Sequence, residues 1–88
     1  MKLIVITALW CPSCLLMKPR IQKVQESMSA ITFEHLDFDF DEDKVKALDI
    51  GKKLPVYILY NDEGNEVIRF KGEMKTDELE RKIHDAMD

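Results

Sequence analysis

The pattern of apolar and polar positions divides the chain into alternating segments of strand and helix type. The segment Lys2–Thr7 contains a continuous apolar run, which is typical of a central strand buried on both faces. From Cys14 onward, apolar residues recur at helical spacing and predict an amphipathic helix that ends within residues 27–30. Pro19 lies inside this helix and is expected to kink it. The apolar stripe of the helix consists of Met17, Ile21, Val24 and Met28.

A second strand and a short helix are predicted in the next part of the chain. Residues 31–40 alternate between apolar and polar side chains, and the strand is expected to end near Asp39. Acidic residues at 41–43 favour the start of a helix, which is predicted over residues 43–49 with Val45 and Leu48 turned inward. The strand's predicted faces carry Leu36, Phe38 and Phe40 on one side, and His35, Asp37 and Asp39 on the other.

A hairpin and a closing helix are predicted in the last third of the chain. Val56–Tyr60 is an apolar strand, and residues 61–65 form a turn rich in Asn, Asp and Gly. Glu66–Lys71 alternates as a strand nearer the sheet edge, and Gly72 breaks it. Thr76 is the predicted N-cap of an amphipathic helix. The apolar side of that helix carries Leu79, Ile83, Ala86 and Met87.

The order of elements predicts a single α/β domain over residues 1–88. The order is β-α-β-α-β-β-α, with one helix between the first two strands, so these strands are expected to be parallel with a right-handed crossover. The last two strands should form an antiparallel hairpin. The predicted fold is therefore a four-stranded mixed sheet flanked by helices.

Composition and charge argue against several kinds of binding partner. Charged residues make up 34% of the chain and the net charge is −4, with Lys and Arg scattered, so no nucleic-acid partner is expected. No segment is long enough to span a membrane, and the short apolar stretch after Lys2 lacks the cleavage site of a signal peptide. The acidic residues 37–43 lack the glycine and terminal Glu of a calcium loop, so no metal is expected there. We expect a cytoplasmic monomer that does not bind membranes.

The two cysteines lie two residues apart at the junction of the first strand and the first helix. Cys11 and Cys14 are too few for a secreted disulfide scaffold, and a lone CxxC in a reducing compartment is more often catalytic or metal-binding. A helix N-terminus carries free N–H groups and partial positive charge, which favour a thiolate. Pro12 suits the first helical position. The sequence therefore predicts redox chemistry that begins at Cys11.

The motif WCPSC at residues 10–14, within this order of elements, resembles the thioredoxin superfamily. Pro19 lies five residues after the second cysteine, where thioredoxins carry a proline that kinks the helix. Leu54 and Pro55 open the third strand at the family's cis-proline position, and Gly72 ends the fourth strand as a glycine does in thioredoxins. The resemblance covers essentially the whole chain, although the family's first strand and helix are missing.

Two positions depart from the thioredoxin pattern. Thioredoxins place a buried Asp six residues before the first cysteine, and this position is Val5 here. They usually place a Lys on the next strand, where the best match is His35. The resemblance therefore implies a site without the internal carboxylate that assists proton transfer at the second cysteine. We expect His35 to be a residue of the strand face or edge.

The resemblance implies a thiol–disulfide oxidoreductase that reduces protein disulfides without a cofactor. Cys11 would attack the target disulfide, and Cys14 would resolve the mixed disulfide, leaving a redox-active Cys11–Cys14 disulfide. Cys14 is expected to lie deeper, under Leu15 and Met17, and to keep its proton longer. The implied partners are disulfide-containing proteins and an electron donor resembling thioredoxin reductase. The expected supporting residues are Trp10, Pro12, Ser13, Leu54 and Pro55.

Three alternative functions remain open at this point. A glutaredoxin-like, glutathione-dependent reductase fits the short chain and the Cys-Pro-x-Cys spacing. The family's Thr-Val-Pro, however, reads Lys53-Leu54-Pro55 here, and its glycine pair is reduced to Gly72. The CxxC could also form half of a metal site, although zinc usually takes four ligands. The remaining alternative is a non-catalytic interaction module on the same scaffold.

Overall fold

Four strands and three helices follow one another in the predicted order in a computed structural model, which describes residues 1–87. Within these residues no helix is both long enough and apolar enough to cross a membrane. The elements are β1 (Lys2–Thr7), α1 (Pro12–Ser27), β2 (Thr32–Asp37), α2 (Glu42–Leu48), β3 (Val56–Tyr60), β4 (Glu66–Lys71) and α3 (Thr76–Met87).

The strands form one mixed sheet in the order β2-β1-β3-β4. β1 pairs with β2 in parallel and with β3 antiparallel, and β3 pairs antiparallel with β4. Val5 illustrates the register, since it lies opposite His35 on β2 and Tyr57 on β3. The central position of β1 explains its continuous apolar run. The predicted mixed sheet, with its parallel pair and its terminal hairpin, is confirmed.

Each face of the sheet buries its own group of apolar side chains. On one face, α1 and α3 cover a cluster that includes Val5, Met17 and Leu79. On the other face, α2 contributes Val45 to a cluster that also contains both cysteines. Met28 and Met87 pack at the margin of the first cluster. Successive apolar residues of β1 point to opposite faces of the sheet, so helices are needed on both faces to bury them.

β2 ends earlier than the alternating pattern predicts. It stops at Asp37, whose Oδ1 accepts hydrogen bonds from the backbone N–H groups of Asp39 (2.9 Å) and Phe40 (3.0 Å). These bonds turn the chain out of the sheet, as Asp side chains commonly do. Phe40 is 81% exposed, so the prediction that it shares the inward face of Leu36 is wrong.

The ends of α1 agree with the sequence, whereas the start of α3 differs by one residue. α1 begins at Pro12, which suits the first helical position, and the Cys11 carbonyl accepts the first helical hydrogen bond from Leu15 N at 3.1 Å. The helix then continues through Pro19 to Ser27. α3 includes Thr76 as its first residue, so the prediction that Thr76 is the N-cap is wrong by one position. Such shifts arise because propensity alone does not decide where the backbone bonds begin.

α2 is displaced by one residue from the predicted range 43–49. It begins at Glu42, and the Asp41 carbonyl accepts the N–H of Val45 at 3.0 Å. It ends before Asp49, whose φ of 51° is left-handed and so cannot continue a right-handed helix.

Gly72 ends β4 in a conformation that a side chain would strain. Its φ is +98°, which L-residues rarely adopt. Its N–H donates to the Pro55 carbonyl at 2.9 Å, and its own carbonyl accepts from the Tyr57 hydroxyl at 3.3 Å. These bonds join the end of β4 to the segment that precedes β3.

Arg69 ties the edge strand β4 to the end of α2. Its Nη1 donates to the carbonyls of Leu48 (2.9 Å) and Asp49 (3.3 Å), which the helix leaves unsatisfied. Its Nε and Nη2 form two bonds of 2.7 Å to the Glu66 carboxylate, which orients the guanidinium. One side chain therefore holds α2 against the hairpin.

We expect Arg69→Ala to lower the free energy of unfolding by about 1 kcal/mol, because helix carbonyls lose a charged donor at a partly exposed site. Arg81→Ala, at an exposed position on α3, is the matched control. Urea denaturation followed by circular dichroism measures both. Equal midpoints for the two variants would contradict the role assigned to Arg69.

Candidate active site

Cys11 and Cys14 lie where the carboxyl end of β1 meets the amino end of α1. Cys11 is the N-cap of the helix, and its Sγ accepts a hydrogen bond from the Cys14 N–H at 3.3 Å. Its own N–H donates to the Ala8 carbonyl at 3.2 Å, which closes the turn between strand and helix. Both cysteines are free thiols and both are buried. The N-terminal dipole and the N–H donor both favour negative charge on the Cys11 sulfur.

The loop before β3 supplies the other wall of the site. The Leu54–Pro55 peptide bond is cis, and both residues are buried. The Cys11 thiol lies 3.9 Å from the Leu54 carbonyl oxygen, to which its S–H can donate. The fold therefore brings together a motif at residues 10–14 and a dipeptide more than forty positions later in the sequence.

The surroundings of Cys14 keep its thiol protonated. Burial raises the pKa of the Cys14 thiol to about 12, and its hydrogen bond with Cys11 acts in the same direction. The nearby Asp37 carboxylate raises this pKa further, whereas the Ala8 backbone hydrogen bond partly lowers it. This agrees with the expectation that Cys14 keeps its proton. The expected cover is different, because Leu15 is 60% exposed and only Met17 is fully buried.

Trp10 stands at the rim of the site and is held by the segment after β2. Its indole is 59% exposed, and its Nε1 donates to Asp39 Oδ2 at 2.6 Å. The ring also meets Phe38 edge-to-face, with 5.9 Å between ring centroids. The sequence pattern assigned Asp39 only to the polar face of a strand, because nothing local links it to Trp10 across 29 positions.

The remaining residues that the sequence singled out differ in their exposure to solvent. Pro12 is exposed at the first position of α1, and Ser13 is half-buried. Val5 is fully buried among apolar side chains, and its neighbour His35 lies on the outer strand β2. His84 is exposed on α3. Within residues 1–87, no group of three or more His, Cys, Asp or Glu side chains is arranged to hold a metal ion.

These features together define a class of protein. A buried pair of thiols lies at a strand-to-helix junction, opposite an X–Pro loop, on a mixed sheet with helices on both faces. That combination is the thioredoxin-like class of thiol proteins. The family model described as Thioredoxin matches residues 1–85. The chain belongs to the thioredoxin family, and this family and fold support a thiol–disulfide oxidoreductase kind of function.

Solved structures agree with this assignment. The oxidised mitochondrial thioredoxin 3 of Saccharomyces cerevisiae is 26% identical, with a TM-score of 0.84, over 96% of this chain and 76% of that one. Fasciola hepatica thioredoxin is 22% identical, with a TM-score of 0.81, over 98% of this chain and 76% of that one. Thioredoxin-2 of the malaria parasite is 21% identical, with a TM-score of 0.86, over 96% of this chain and 81% of that one.

The last two structures show the fold alone, and with the first they confirm the predicted thioredoxin-like architecture. The comparison with curated proteins found no match.

We expect Asp39→Ala to free the indole of Trp10, because the variant loses the acceptor at 2.6 Å. Trp10 is the only tryptophan, so its fluorescence anisotropy should fall. Asp85→Ala, at an exposed position on α3, serves as the control and should leave the anisotropy unchanged. An equal anisotropy in Asp39→Ala and the wild type would contradict the contact.

We expect the sole thiol of a Cys11→Ser variant to ionise only well above pH 9. Burial is the largest cause of the raised pKa of Cys14 and remains in this variant, although the contribution of Cys11 is lost. Thiolate absorbance near 240 nm measures the titration, with the urea-unfolded variant as reference. A midpoint equal to that of the unfolded variant would show that the fold does not bury this thiol.

Proposed function

We propose that the protein reduces disulfide bonds in other proteins through a Cys11–Cys14 dithiol/disulfide cycle. The observation that carries this proposal is the unequal environment of the two sulfurs. Cys11 caps a helix and receives an N–H bond at 3.3 Å, whereas burial keeps Cys14 protonated. Cys11 is thus suited to attack the target disulfide, and Cys14 stays protonated until it resolves the mixed disulfide. Dithiol exchange needs these two separate roles.

In the first step the Cys11 thiolate attacks one sulfur of the target disulfide. A bond forms between the Cys11 sulfur and that sulfur, and the target's own S–S bond breaks. The released target thiolate takes a proton from solvent. The Leu54 carbonyl and the peptide bond to Pro55 border the attacking sulfur, so an extended target segment can lie along this loop. The exposed Trp10 ring provides a flat apolar surface beside it.

In the second step Cys14 loses its proton and attacks the Cys11 sulfur of the mixed disulfide. The Cys11–Cys14 bond forms and the bond from Cys11 to the target breaks. Two electrons have then passed from the dithiol to the target. The cycle needs no cofactor, because the redox group consists of the two cysteines themselves.

Members of this family work on disulfide substrates with reductase partners. For this chain we propose a donor resembling thioredoxin reductase and a monomer acting in the cytoplasm, where a reducing environment keeps the dithiol reduced. Lys53 and Leu54 stand where glutaredoxins carry Thr-Val before the proline, and Gly72 has no second glycine beside it, so we rank a glutathione-dependent reductase second.

We expect Cys11→Ser to abolish reduction of a model disulfide protein and Cys14→Ser to accumulate a mixed disulfide, because only Cys14 can release the target. Non-reducing gels and mass spectrometry detect the adduct, and Ser13→Ala is the control within the motif that should form none. If Cys14→Ser traps no adduct while the wild type reduces the same substrate, the two-step cycle is wrong.

The donor is tested by coupling the wild type separately to NADPH with a thioredoxin reductase, and to NADPH with glutathione and glutathione reductase. The proposal predicts turnover of NADPH with the first system. Turnover with the second alone would instead support the glutathione-dependent reductase.

A further inference from the structure

A groove of about 600 Å³ opens beside Cys14, and neither Cys11 nor the Leu54–Pro55 loop lines it. Its walls come from the end of β1, from one side of α1 between Cys14 and Glu26, and from His35 on the outer strand β2. Cys14 lies in the wall, together with Lys18, Gln25 and His35. The cycle proposed above uses the Cys11 side of the thiol pair, and it assigns no task to this groove.

The second step of that cycle requires an exit for the Cys14 proton. Cys14 is only 4% exposed, and Val5 on the strand beneath α1 is apolar. Among residues 1–87 no buried side chain is a carboxylate or an imidazole, and the buried Tyr57 hydroxyl already donates to the Gly72 carbonyl. While the mixed disulfide exists, the target occupies the Cys11 side. The groove is therefore the remaining way from the Cys14 sulfur to solvent.

His35 stands in this groove with the chemistry of a proton acceptor. Its Nε2 lies 2.9 Å from Gln25 Oε1, and in the tautomer that donates to this oxygen the Nδ1 lone pair is free. Although His35 remains accessible to solvent, burial of part of its ring lowers its pKa, so the imidazole is neutral at neutral pH. It can then pass a proton on to bulk water.

We propose that the Cys14 proton leaves through this groove during the resolving step, and that His35 receives it through water. The inference rests on the proposed dithiol cycle. The S–H bond of Cys14 breaks and its proton moves along water to the imidazole. The sulfur's electron pair forms the bond to Cys11, while the target leaves as a thiolate. His35 then returns the proton to solvent, so the relay consumes no further reactant.

The charges around His35 suit this task. Lys18 and Glu26 of α1 line the same groove, with opposite charges. Asp37 follows two positions later on the same strand, and Val5 and Thr7 of β1 bring no charge. The Asp37 carboxylate raises the pKa of Cys14, so loss of the proton from this sulfur needs an acceptor such as the neutral imidazole of His35. His35 does not touch the Cys14 sulfur and acts on it only through water.

The test separates the two steps by stopped-flow mixing of the reduced protein with Ellman's reagent. The first release of thionitrobenzoate reports attack by Cys11, and the second, unimolecular release reports resolution by Cys14. The variants are His35→Gln, which keeps a polar partner for Gln25, and His84→Gln as the matched control on α3.

We expect His35→Gln to slow the second release about tenfold at pH 7, less than the 10²–10⁴ of a base in direct contact. The first release should be unchanged, and His84→Gln should match the wild type in both. In the wild type the second release should rise with pH until His35 is neutral and then level off. In His35→Gln it should rise with hydroxide concentration throughout.

A second release with the wild-type rate and pH profile in His35→Gln would overturn the relay and leave the dithiol cycle standing. A wild type with only one release would overturn the cycle itself. Added imidazole gives an independent measurement, because the groove has room for the free ring. It should restore the second release in His35→Ala in proportion to its concentration, and a failure to do so would count against His35.

Discussion

The burial of β1 between β2 and β3 is the constraint on which the rest of the structure depends. The backbone of β1 forms hydrogen bonds to a neighbouring strand on each side. Its apolar side chains point to both faces of the sheet, so helices must cover both faces to bury them. Its carboxyl end then lies at one edge of the sheet, under the amino end of α1. Cys11 occupies that junction, so the position of the first thiol follows from the packing of the strand before it.

The site is completed by bonds that connect separate parts of the chain. The segment between α2 and β3 is bonded at both of its ends. The Gly72 N–H donates to the Pro55 carbonyl near the start of β3, and Arg69 donates to the Leu48 carbonyl at the end of α2. The Leu54 carbonyl is thereby kept 3.9 Å from the Cys11 sulfur. On the opposite rim, the turn that Asp37 makes places Asp39 within reach of Trp10. The bonds made by Gly72, Arg69 and Asp39 do not touch the thiols, but they hold the loop and the indole that border Cys11.

Two sulfurs of the same chemical kind acquire different properties from their surroundings. Cys11 faces the donors and the dipole of a helix end, which favour a charged sulfur. Cys14, one turn further on, is buried among apolar groups that disfavour its charged form. Val5 is fully buried and adds no polar group to the core, whereas the groove beside Cys14 carries polar side chains.

The sequence by itself determined the elements, their order and the chemistry of the motif, because these depend on local periodicity, on cysteine spacing and on the properties of Pro and Gly. It also indicated Leu54 and Pro55 through the family resemblance. Local patterns could not show where β2 ends, since alternation continues to Phe40 while the side chain of Asp37 turns the backbone away.

Only the tertiary structure decided that Asp39 holds Trp10, that the exposed Leu15 takes no part in burying Cys14, and that His35 shares a groove with Cys14. Each of these depends on segments that are distant in the sequence and adjacent only after the sheet and helices have packed.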